Sequence, residues 1–176
     1  MATKTQISFM IEGQNYGLDI MSVRAIEKCE NISPVIGAPS YIKGVLNLRG
    51  ELIPVYSIRN KFALPERPYD EASKLIIVML DQLPVAIEVD SVVGIINIEE
   101  TKITERPNVL NNSSTGFIGH VAELDDKKII VLISLKHLVL KWRNHDNLDM
   151  RSGDEYEECI SGNLSGSSSG RRSCRL

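Results

Sequence analysis

Residues 7 to 26 lie on residues 76 to 95 at a constant offset of 69 without a gap, and a chain that repeats itself in this way is constrained to build two like units. Ile7-Ser8-Phe9-Met10-Ile11-Glu12 falls on Ile76-Ile77-Val78-Met79-Leu80-Asp81, and Leu18-Asp19-Ile20-Met21-Ser22-Val23 falls on Ile87-Glu88-Val89-Asp90-Ser91-Val92. Each copy reads as strand, turn, strand. The shared Met, Ser and Val positions lift the match above what period-2 apolar alternation produces by chance. A second pairing sets Ile53-Pro54-Val55-Tyr56-Ser57-Ile58-Arg59 on Ile130-Val131-Leu132-Ile133-Ser134-Leu135-Lys136, at an offset of 77 because the intervening loops differ in length. Two copies of about five short strands, punctuated by Gly, Pro and Asn, favour a pair of small barrels over parallel βαβ units. The expected fold class is all-β.

Helical signal is thin. It is strongest at residues 134 to 143, where Leu135, Leu138, Val139 and Trp142 fall at i, i+3, i+4 and i+7 and Ser134 is placed to cap. The matching segment of the first copy, Ser57 to Leu64, predicts a shorter helical turn, broken by Pro65 and Pro68. Residues 65 to 74 then join the copies. Beyond Asn144 the chain turns polar, and residues 161 to 173 are mostly Ser, Gly and Arg, with almost nothing to bury. That composition reads as a disordered tail.

Several function classes are disfavoured by composition. At 176 residues and 43% apolar content the chain is long enough for a real core. A net charge of −3 gives no basic field for nucleic acid, and 5% aromatics leave few stacking platforms for bases. The apolar run Leu75 to Leu80 is far shorter than the roughly 20 residues of a membrane span. Met1 to Gln6 carries no secretory pattern, so a cytoplasmic protein without membrane insertion is expected. Cys29, Cys159 and Cys174 lack Cys-x-x-Cys spacing and read as free thiols.

Reactive constellations are equally thin. His120, His137 and His145 fall in no metal-ligand spacing, neither Gly44 nor Gly50 opens a phosphate-binding helix, and no nucleophile elbow is present. Cys29 has acidic neighbours that disfavour a thiolate. Asp19, Glu88 and Asp90 alternate along strands and read as solvent-side carboxylates. No cofactor, metal or catalytic residue is expected.

The segment Tyr41 to Val55 predicts a β-hairpin, two apolar runs joined at Leu48-Arg49-Gly50, with Gly50 free to take the positive φ of a tight reversal. Arg49, flanked by Leu46, Leu48 and Leu52, looks partly covered and suited to pin two elements through its planar donors. Val23, Val92 and Ile95 read either as core or as part of an exposed apolar groove.

In chain order, Tyr16-Gly17-Leu18-Asp19-Ile20-x-x-Val23, Gly37-Ala38-Pro39-x-Tyr41-Ile42-Lys43-Gly44-Val45-x-Asn47-Leu48-Arg49-Gly50, Ile53-Pro54-Val55, Tyr69-Asp70-Glu71, Val89-Asp90-Ser91-Val92 and Phe117-Ile118-Gly119 resemble the CheW-like domain of bacterial chemotaxis. The resemblance runs from about Gln6 to Leu140. It implies two SH3-like, five-stranded β-barrel subdomains about a pseudo-twofold axis, with a short C-terminal helix. The domain would span residues 6 to 144, the first barrel about 6 to 70 and the second about 71 to 144 with strand exchange allowed, followed by the polar tail 145 to 176. It also implies a non-catalytic adaptor, cytoplasmic and recruited to membrane-associated arrays, which couples methyl-accepting chemotaxis receptors to the regulatory domain of the histidine kinase CheA. Position by position, the receptor groove would comprise Val23, Gly44, Arg49, Val92, Ile95 and Gly119. The kinase face would use Val35, Ile36 and Pro39. The alternatives are a receiver-less relative of the CheV-type adaptor and an enzyme using the cleft between the barrels. Three positions depart from the family pattern: Ala25 replaces a common acidic partner of Arg49, for which Glu27 or Asp19 would substitute, Ser57 replaces an aspartate, and His120 follows Gly119.

Overall fold

The computed structural model describes residues 2–106, 116–124 and 128–138. Among them are the strands β1 (Thr3–Ile11), β2 (Gln14–Asp19), β3 (Val23–Lys28), β4 (Ile32–Ser33), β5 (Ile42–Leu48), β6 (Glu51–Ser57), β7 (Lys74–Leu80), β8 (Leu83–Val89), β9 (Ser91–Glu99), β10 (Ile103–Glu105), β11 (Ile118–Glu123) and β12 (Ile129–Ile133). A short helix α1 (Ile58–Lys61) follows β6. Residues 135–138 are helical, and the remainder of the helix expected over 134 to 143 lies outside the described residues, as does the tail. The short helical turn expected after Ser57 is α1, and the Ser57 hydroxyl caps it by accepting from the Asn60 amide at 3.3 Å.

Two six-stranded sheets result, ordered β10-β11-β12-β2-β1-β9 and β4-β5-β6-β8-β7-β3. The all-β twin-subdomain architecture is therefore present. Each sheet adds one very short strand to the expected five: β4 has two residues and β10 three, too few to leave an alternating signature. The sheets are matching copies down to their register. Gln6 pairs with Asp19 in β1–β2, as Leu75 pairs with Glu88 in β7–β8. The parallel pairings correspond too, with Leu132 opposite Gly17 and Val55 opposite Ala86. Even the bulges recur: register shifts between Val23 and Ala25 in β3 and, on the equivalent pairing, between Ser8 and Phe9 against β9.

Strands are exchanged between the copies. β1 and β2 complete the sheet made by β9 to β12, while β7 and β8 complete the one made by β3 to β6. Around the second sheet, Leu46, Ile53, Val55, Leu75, Ile77 and Ala86 form one buried cluster, joined by Ala25 and Ile32. All six strands contribute to it, so the sheet curls around its own core as a small barrel does. Ile98, Ala122, Ile130 and Leu132, with Ile96 and Ile103, play that part in the other sheet.

The opposite faces of β1 and β7 are buried as well. Ile7, Phe9 and Ile11 on one strand and Ile76 and Val78 on the other point away from their barrel interiors, yet are 2% exposed or less. They lie at the contact between the sheets, where β1 approaches β8. A run of rings reinforces it. Phe62, just after α1, stacks on Phe117 with centroids 4.2 Å apart and meets Tyr16 at 6.2 Å, and Tyr16 stacks on Phe9 at 5.9 Å.

Candidate functional site

The hairpin expected at residues 41 to 55 is β5–β6, closed by a two-residue turn between Leu48 and Glu51. Arg49 and Gly50 both take positive φ, 54° and 88°, the signature of a primed turn. The Asn47 side-chain oxygen accepts from the Gly50 amide at 3.0 Å and fixes it. This geometry overturns the expectation that Arg49 is partly covered and pins two elements. Its side chain stands exposed at the tip and has no hydrogen-bond or ion-pair partner among the described residues. A two-residue turn protrudes beyond the ladder, so no described residue packs over it. Neither Glu27 nor Asp19 replaces the missing acid at Ala25: Asp19 caps the turn at Met21, its carboxylate accepting from the Met21 amide at 2.9 Å. The link between β3 and the hairpin is made instead by Arg24 and Glu51, 2.7 Å apart.

The pinning arginine is Arg59. Its Nε and Nη2 donate to the two carboxylate oxygens of Asp90 at 2.8 and 2.6 Å, and Nη1 donates to the Pro65 carbonyl at 2.8 Å. Nη2 also lies 2.7 Å from Glu12. One guanidinium therefore joins α1, the β1–β2 turn, the β8–β9 corner and the segment after α1. Burial by itself would raise the Asp90 carboxyl, but the Arg59 hydrogen bonds and the Glu12 amide hold it below the usual carboxylate range. Arg59 is held above its ordinary value, chiefly by its hydrogen bonds to Asp90. Asp90 and Glu88 are thus not solvent-side residues. Glu88 is 6% exposed and accepts from the Tyr69 hydroxyl at 2.8 Å and the Ser57 hydroxyl at 3.5 Å. The signal for Arg59 was faint: a basic residue at the start of a short helix, 31 positions from its partner.

The nine positions expected for recognition fall in different settings. Val23, half-buried in β3, pairs with Val78, and its counterpart Val92 in β9 pairs with Phe9. β3 and β9 are the edge strands of their sheets. Ile95, farther along β9, is 64% exposed. Gly44 is buried where β4 crosses close to β5, and a Cβ there would lie inside contact distance of the Ser33 carbonyl oxygen. Gly119 sits at a bulge in β11 and lines a cavity that takes none of the other five receptor positions. Val35, Ile36 and Pro39 lie on the β4–β5 loop. Ile36 is fully exposed there, Val35 about half so, and the loop is braced by Ala38 N donating to Val35 O at 3.3 Å and Ile42 N to Pro39 O at 2.9 Å. Sequence reasoning missed Met21 and Val93, which add exposed apolar surface beside Val23 and Val92. Their signal was adjacency to those valines.

Cys29 is free and half-buried, its thiol pushed up to about 12 by burial and then by Glu88. Among the described residues no helix is long and apolar enough to cross a membrane.

Comparison with known proteins adds three findings. The family model described as CheW-like domain matches residues 6–141. The chemotaxis protein CheW of Klebsiella aerogenes is 28% identical over 131 residues, covering 74% of this chain and 78% of that one, and its Bacillus subtilis counterpart is 28% identical over 126 residues, covering 72% and 81%. The crystal structure of the scaffolding protein TtCheW from Thermoanaerobacter tengcongensis superposes with a TM-score of 0.71 at 33% identity, covering 76% of this chain and 90% of that chain.

Proposed function

The chain belongs to the CheW-like domain family, and we propose from this premise that it is a non-catalytic chemotaxis scaffold coupling methyl-accepting receptors to the histidine kinase CheA. The family match across both sheets carries the reading. What supports it chemically is the placing of large apolar side chains in solvent at two separate parts of the fold. Ile36 and Val35, with Pro39, offer a loop-borne anchor at sheet two for the regulatory domain of the kinase. Val23, Val92 and Ile95 on the edge strands, together with Gly44, Gly119 and the exposed Arg49, are the positions we assign to the apolar stripe of a receptor helix. An exposed arginine with no internal partner is free to meet a carboxylate or carbonyl on that helix.

On this reading the adaptor works by fixing the spacing of two partners, and any coupling is a free-energy difference between kinase-on and kinase-off assemblies. It acts in the cytoplasm and is drawn to membrane-associated arrays by its partners. The test is a pair of substitutions measured against both partners by calorimetry. Ile36→Asp is expected to weaken binding to the CheA regulatory domain by at least about tenfold and leave receptor binding intact, whereas Arg49→Ala costs about 1–3 kcal/mol toward the receptor alone. Equal losses toward both partners, or none toward either, refute the assignment of faces.

A further inference from the structure

The second barrel, built on β9 to β12, carries a half-open cavity of about 400 Å³ between β1, β2, β10, β11 and β12, with both apolar and polar side chains on its walls. That volume lies in the range of small-ligand pockets. Its walls carry donors: Lys4, Gln6, Arg106, His120, Ser134 and His137. The one carboxylate on the wall among the described residues, Asp19, is engaged by the Met21 amide. Arg106 donates to the Ile118 carbonyl at 3.5 Å, Lys4 lies 3.9 Å from Glu100 at the rim, and the Ser134 hydroxyl is 2.8 Å from His137 Nδ1.

Gln6 distinguishes this corner from an ordinary surface dent. It is only 5% exposed and lines the cavity, and its amide has no hydrogen-bond partner among the described residues. A buried amide left unpaired is destabilising, so its retention calls for a physical reason. The fold supplies an internal control, because the equivalent of Gln6 in the other barrel is Leu75, an apolar core residue. There the same corner is plugged by an acid. Glu88, the counterpart of Asp19, is buried under the Tyr69 hydroxyl and beside Ser57, the counterpart of Ser134. One copy thus buries its carboxylate in the corner, while in the other Asp19 is exposed and the walls carry cations, imidazoles and an unpaired amide.

We propose that this cavity binds a small multivalent anion, a phosphate- or carboxylate-bearing metabolite, with Gln6 and Arg106 as its inner donors. Such an occupant would give Gln6 and Arg106 the acceptor that Asp19, engaged by the Met21 amide, does not. It would tie β1 and β2 to β11, β12 and the helical residues 135–138, adding stability by binding the folded state alone.

The test uses the full chain with inorganic phosphate, pyrophosphate and citrate as probes, against chloride at matched ionic strength, read by calorimetry and thermal unfolding. At least one probe is expected to bind saturably at one site and raise the melting temperature. Arg106→Gln should weaken it about tenfold. Gln6→Leu, which copies Leu75, should abolish it while leaving the melting temperature of the ligand-free protein equal or higher, a combination that a merely structural glutamine does not give. Should Gln6→Leu not fold, Lys4→Gln at the rim must still weaken binding. Absence of saturable binding by all three probes up to about 10 mM, or binding unchanged in these variants, overturns the proposal.

Discussion

Replacing Arg59 by alanine removes the most connected buried cation among the described residues. The side chains of Arg59 and Asp90 are 6% and 12% exposed, and the substitution deletes both hydrogen bonds of the bidentate pair along with the bond to the Pro65 carbonyl and the Glu12 contact. Asp90 keeps only the Glu12 amide at 2.9 Å and Arg67 at 3.6 Å. Breaking a buried pair by removing one partner costs about 3–5 kcal/mol. The two surviving contacts place this case at the lower end, about 3 kcal/mol. Against a total stability of about 5–15 kcal/mol this is a large fraction. With a urea slope of about 2 kcal/mol/M the midpoint should fall by about 1.5 M. Arg59→Lys, which keeps charge without the planar fork, should fall in between. Linkage gives the pH dependence. The Asp90 carboxyl is held below its ordinary value, so its contribution is complete above the unfolded carboxylate value of about 3.9 and is lost as pH falls through the lower folded value. The gap between wild type and Arg59→Ala should therefore be full at pH 7 and shrink below about pH 4. Urea titrations at both pH values check this, and a loss under about 1 kcal/mol at pH 7, or a gap that widens in acid, refutes the reasoning.

Gly44→Ala forces a Cβ against the Ser33 carbonyl oxygen, a backbone atom that cannot swing aside, and should destabilise the protein by about 1–3 kcal/mol in thermal unfolding. In a Cys159→Ser/Cys174→Ser background, Cys29 at pH 8 should react with a thiol reagent at least about a hundredfold more slowly than a free thiol, because burial pushes it up to about 12, and urea should restore the rate. Ile36→Asp, by contrast, should shift stability by no more than about 0.5 kcal/mol, since the side chain it replaces is wholly solvent-exposed.

The repeat was legible because side-chain alternation has period 2, and a slip of one residue would turn every apolar group outward. Copies that keep one spacing, such as Ile7 with Leu18 and Ile76 with Ile87, therefore keep one register. The pattern is silent on which copy's strands meet, because β2 would find an equally suitable neighbour in β6 or in β12. The exchange of β1–β2 and β7–β8 becomes visible only in three dimensions. The same locality hid the Arg59–Asp90 pair. A carboxylate next to a valine in an alternating run looks solvent-facing, and only the helix that brings Arg59 over the β8–β9 corner makes it a buried partner. Arg49 misled in the opposite sense: its leucine neighbours belong to the ladder, whereas the turn that carries it projects beyond. Exposed apolar side chains such as Ile36 were legible as apolar residues in a loop, though sequence alone does not distinguish them from core.

The central claim is that this chain joins two partners through separate surfaces at once. Sedimentation velocity on the purified chain with a CheA regulatory domain and a soluble receptor-tip fragment measures it directly. The account predicts a three-component species in which saturation with one partner leaves affinity for the other undiminished. Mutual displacement of the two partners, or binding of neither, would contradict it.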